Sequence, residues 1–209
     1  MAGASNVRAD DTRLSRADRA LHRLETALAL VAGLLILSLM GLAVLSVGGR
    51  NFFGTPLPGY VDWIETLMPA IAVLAIAYTM RLGGHIRMDL VVGQFRGRAL
   101  WAVELATTLI VLLVVLALIW GSWSHFGRSF DLGAPNWSRD SSIDIGLPIW
   151  PAKLVVPLAL AVLALRLAIQ AIGYARGLRT GATPPAVPLM ESAEEQAAAE
   201  AATLAGRDR

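Results

Sequence analysis

Long apolar runs alternate with short polar connections along this chain. Thr26 to Gly49 is 24 residues without Asp, Glu, Lys or Arg, and Leu105 to Gly127 is 23. At about 1.5 Å of helical rise per residue, either stretch crosses the roughly 30 Å hydrocarbon core of a bilayer. Two further runs of similar length are interrupted only near their ends. The pattern predicts an all-α integral membrane protein with four transmembrane helices at about 27–47, 60–80, 100–123 and 150–174.

The connections have patterns of their own. In residues 1–25, Leu14, Ala17, Leu21 and Leu24 recur three or four apart, with Arg13, Arg16, Arg19 and Arg23 between them. This reads as a basic amphipathic segment lying on an anionic membrane surface. Its length, and the 21-residue apolar run from Ala27 to Val47, set it apart from a cleaved leader. Gly48-Gly49-Arg50 and Gly54-Thr-Pro-Leu-Pro-Gly59 punctuate the chain before the second span. Arg81 to Arg98 fits a second short interfacial helix. Ser124 to Leu147 is the longest polar connection between spans. Pro151 suits the first turn of the fourth helix, and Pro157 is expected to loosen it. The expected organisation is thus a basic segment at 1–25, a membrane domain at 26–175 and a flexible tail at 180–209.

Composition agrees with the pattern. Apolar residues are 56% of the chain and charged residues 16%, which excludes a soluble globular domain and a disordered chain. With no Cys there is neither a disulfide framework nor a thiolate site. The net charge of +2 is less informative than its distribution. Eleven Lys and Arg flank the ends of the spans on the side of the N-terminus, against four on the other side. That asymmetry predicts both termini in the cytoplasm. Trp63, Trp120, Trp123 and Trp150 would then lie at outer ends, and Trp101, Tyr78 and Tyr174 at inner ends.

Candidate chemistry is sparse. His22, His85 and His125 have no ligand partner at helical spacing, and no phosphate loop, zinc spacing or nucleophile motif is present. An enzyme is therefore not expected, nor a cofactor, nor nucleic acid as a partner. Charges in or beside the spans stand out, because burying them in hydrocarbon is costly. Arg50 and Glu65 leave and enter neighbouring spans on one side, so they are expected to pair. Glu104 and Arg166 lie in the third and fourth spans near the other side, within reach if Arg166 snorkels. Either these charges line an ion path, or they fix helix register. The scarcity of polar residues elsewhere in the spans favours register.

The segments Arg50-Asn-Phe-Phe-Gly54, Trp63-Ile-Glu65 and Gly84-His-Ile-Arg-Met-Asp-Leu90 together resemble the small permease subunit of tripartite ATP-independent periplasmic (TRAP) transporters. Gly146-Leu-Pro-Ile-Trp-Pro-Ala-Lys-Leu-Val-Val-Pro157 is similar to that family's entry into its fourth span. The resemblance covers about residues 20 to 175. It implies a large permease subunit and a periplasmic solute-binding protein as partners, besides membrane lipid. It implies sodium-coupled uptake of organic carboxylates across the bacterial inner membrane, with the small subunit as stationary scaffold. By the same resemblance, His85, Arg87 and Asp89 join Arg50, Glu65, Glu104 and Arg166 as structural or interaction candidates. Other classes compatible with four spans are a membrane anchor of a redox complex and a small self-sufficient exporter.

Overall fold

A computed structural model describes residues 13–81 and 97–181. Residues 82–96 of the expected interfacial helix over 81–98, with the His85, Arg87 and Asp89 motif, and the tail beyond 181 fall outside the described residues.

Four helices are long and apolar enough to cross a membrane. The first, α1, is Arg13–Phe53, a single helix of 41 residues. The second span, Tyr60–Arg81, is made of α2, Tyr60–Leu74, and α3, Ile76–Arg81. The third is α4, Arg98–Ser129, and the fourth α5, Trp150–Thr180. No strand occurs among the described residues; two isolated bridges, Phe130 with Ser138 and Ser141 with Pro148, shape the connection between α4 and α5. The fold is therefore all-α and membrane-spanning, as the apolar pattern indicates.

Local chemistry sets the ends of the helices. α1 stops where Gly54 takes a left-handed φ of 73° and its N–H bonds back to the carbonyl of Arg50 at 3.1 Å. α5 runs from Pro151 in its first turn to Thr180 without a break, and Pro157 is buried within it. The second span is interrupted once, at Ala75, which separates α2 from α3.

α5 is the hub. Of its most apolar window 39% is buried, against 6% for α1, so α5 is the central helix and α1 a peripheral one. Leu160, Leu163 and Leu167 of α5 pack with Ala77 of α3 and Val115 of α4. Ala159 packs with Ala32 of α1 and with Ala70 and Leu74 of α2. Alanines at that second contact let the backbones approach closely, which is how helices associate in lipid, where no hydrophobic force drives them together.

One sequence expectation is corrected here. From Arg13 onward the basic segment does not form a helix separate from the first span. It is the first part of α1, and Leu14, Ser15, Asp18, Leu21 and Glu25 are buried in the bundle. The buried positions recur at 14, 18, 21, 25 and 32, so the inward stripe of α1 carries two carboxylates. Ala17 and Leu24, assigned to the apolar face by sequence, are exposed. A stripe carrying two acids packs against protein here because two arginines meet it.

Candidate functional site: a buried charge cluster

Those arginines are Arg81, the last residue of α3, and Arg166, in the second half of α5. Arg81 donates to both carboxylate oxygens of Asp18, at 3.1 and 2.7 Å, and to the Asp18 carbonyl at 3.3 Å. Arg166 contacts the same carboxylate through Nη1. Two turns further along α1, Glu25 lies 3.5 Å from Arg81 and 3.9 Å from Arg166. Arg166, Glu25 and Gln170 have no exposed surface, and Arg81 and Asp18 almost none.

Two positive and two negative groups give the cluster a formal charge of zero. That balance is what permits burial, since an uncompensated ion there would face the full desolvation penalty. Coordination is uneven. Asp18 collects the hydrogen bonds, whereas neither oxygen of Glu25 and neither polar atom of the Gln170 amide has a hydrogen-bond partner among the described residues. His22, one turn above Asp18, stacks on Tyr78 with ring centroids 6.4 Å apart, closing α1 against the second span beside the cluster.

The other end of the bundle holds a second polar construction. Asp62, in the first turn of α2, accepts hydrogen bonds from Ser142 Oγ at 2.6 Å and from the N–H groups of Asp144 and Ile145 at 3.1 and 2.9 Å. Gly59, just ahead of α2, has φ 71°, and a Cβ there would fall 2.5 Å from the Ile145 side chain, so the loop lies directly on the helix entrance. Asp140 accepts from Lys153 Nζ at 2.6 Å and from Ser129 Oγ at 2.8 Å, joining the loop to α4 and α5. These donors hold the Asp140 carboxyl below its ordinary range, Lys153 contributing most. Asp131 is lowered by the Gly133 N–H and then by Arg139. Trp150 Nε1 donates to the carbonyl of Asn136 at 3.0 Å. The connection over 130–149 is thus fastened at several points.

The residues singled out by sequence are distributed differently from expectation. Arg166 meets Asp18 and Glu25, where Glu104 was the expected partner; Glu104 is buried on α4. Arg50 and Glu65 are both exposed, and no ion pair joins them. The carboxylate of α2 that engages another element is Asp62, one turn before Glu65. Asp18, Glu25, Arg81 and Asp62 are not among the candidates that the sequence singles out. Asp18 and Glu25 left a signal: they fall seven apart on one stripe with Leu14 and Leu21. Among the described residues no group of three or more His, Asp and Glu is placed to hold a metal.

Residues 39–177, about two thirds of the chain, match the family described as tripartite ATP-independent periplasmic transporters, DctQ component. The chain belongs to this family. A search of curated proteins found no match. The DctQ component is a part of a transporter, not an enzyme family, and its four apolar helices here make it a multi-pass membrane subunit. Arg81 and Arg166 fall inside the matched region, while Asp18 and Glu25 precede it. The charge cluster therefore joins the family's domain to the part of α1 that comes before it.

Proposed function

We propose that this DctQ component is the stationary scaffold of its transporter in the bacterial inner membrane. It holds a large permease subunit, while a periplasmic binding protein delivers an organic carboxylate that the large subunit carries inward with sodium. Both termini face the cytoplasm on this reading, from eleven basic residues against four. The observation that carries it is the closed charge balance of Asp18, Glu25, Arg81 and Arg166. Each guanidinium is engaged by carboxylates of α1, which suits a lock between helices. A carrier site would instead leave charge free for solute or ion.

Reconstitution tests the reading. The chain alone, in proteoliposomes with a sodium gradient, should move no carboxylate; uptake should need the large subunit and the binding protein. Glu104→Gln and Arg166→Gln should lower the amount of complex and leave solute preference intact. Sodium-driven uptake by the chain alone, or an altered preference in either variant, would overturn it.

A further inference from the structure

The burial of Asp18 and Glu25 has a counterpart on the opposite side of α1. Arg16, Arg19 and Arg23 are all exposed. They recur three and four apart, so they share one face of the helix. Among the described residues none of them is within ion-pair distance of an acid, and the one hydrogen bond there is from Arg19 to Ser15 Oγ at 3.4 Å. The acids of this stretch of helix have turned inward to Arg81 and Arg166, leaving an outer face that is purely cationic.

The same face continues along α1 through Ala27, Leu30, Leu34 and Leu37, all exposed. Three arginines thus cap an apolar stripe of the kind that lies against acyl chains. Depth agrees. Arg19 and Arg50 are 31 residues apart, about 46 Å along the helix. A bilayer with its headgroups is about 40–45 Å thick. With Arg50 at one headgroup layer, the arginine ladder falls at the other.

We infer that Arg16, Arg19 and Arg23 form a binding site for the phosphate groups of anionic phospholipids, in the leaflet at the amino-terminal end of α1. Guanidinium groups recognise phosphate through parallel N–H donors, and their long stems lie along the apolar stripe below while the charged heads stay at the interface. The site does not depend on the transport reading, because it follows from the depth and sidedness of α1 alone.

The test is native mass spectrometry of the purified full chain titrated with phosphatidylglycerol or phosphatidylcholine of equal acyl length, with inorganic phosphate as a third probe. Each arginine at an anionic surface is worth about a fivefold change in partition at low salt. The triple variant R16Q/R19Q/R23Q should lose on the order of a hundredfold of the preference for phosphatidylglycerol. The variant R16K/R19K/R23K keeps the charge and loses the parallel donors, so it should fold as the wild type does and keep only part of the preference, which separates lost binding from lost folding. R176Q/R179Q, which removes two exposed arginines of α5, should change it little. Equal losses in the α1 and α5 glutamine variants would mean diffuse charge attraction and overturn the proposal. So would millimolar phosphate displacing the lipid, or a complex with the large subunit that carries no phosphatidylglycerol, which would give the ladder to a protein contact.

Discussion

Asp18 and Arg166 touch in the folded bundle although 148 residues separate them in the chain. Arg81 contacts the same carboxylate from a third helix, so one aspartate determines how α1, the second span and α5 sit together.

Asp18→Ala leaves two buried guanidinium groups facing a single carboxylate, Glu25. Breaking a buried pair from one side costs about 3–5 kcal/mol, so thermal unfolding in detergent should drop sharply or the protein fail to accumulate. The quadruple variant D18L/E25L/R81M/R166M removes every ion and should recover most of that stability. A quadruple variant no more stable than Asp18→Ala would show that the charges do more than neutralise one another.

Gly59→Ala places a side chain at φ 71° and against Ile145. Both γ carbons and Cδ1 of Ile145 lie within 2.8 Å of that position, so the loop must shift too, and the cost exceeds the about 1–2 kcal/mol of a left-handed alanine alone. Gly59→Asn, better tolerated in that region, should cost less. The midpoint of thermal unfolding ranks the two. Equal midpoints for wild type and Gly59→Ala would refute the reading of this turn.

The connection between α4 and α5 should loosen in acid. Asp131 and Asp140 have carboxyls held below their ordinary value of 3.8 in the folded chain. Their contribution is complete above the unfolded value and is lost as pH falls through the lowered folded value. Amide hydrogen exchange over 130–149 should therefore be steady from neutral pH to about 5 and accelerate below about 4 once corrected for intrinsic rates. Asp140→Asn should exchange fast at neutral pH. A flat profile into strong acid would dismiss these two carboxylates as fasteners.

Orientation is checked by fusion. A reporter active only in the periplasm should be silent after Arg179 and active at Asn136. The reverse pattern would reject the charge-based topology.

The spans were legible because hydrocarbon thickness imposes a length on apolar runs that nothing else in a sequence imitates. The interior of the bundle was less so. Apolar periodicity assigns every charge in a basic stretch to the outside, which is right for Arg16, Arg19 and Arg23 and wrong for Asp18 and Glu25. The inward stripe was visible as spacing, but its acids count as interior only once Arg81 and Arg166 face them, and that is set by helix packing. Glu65 drew attention as a carboxylate near the start of a span. Asp62, three residues earlier, does the work because its partners, Ser142, Asp144 and Ile145, come from a loop about 80 residues away.

The order of synthesis gives the long-range contact a temporal meaning. Asp18 and Glu25 leave the ribosome first, Arg81 follows after one hairpin, and Arg166 emerges only with the last helix. A nascent chain halted before α5 holds two carboxylates against one arginine, one charge short of the balance on which their burial depends. Completion of the chain supplies that charge. The cluster is thus complete only once α5 has been made.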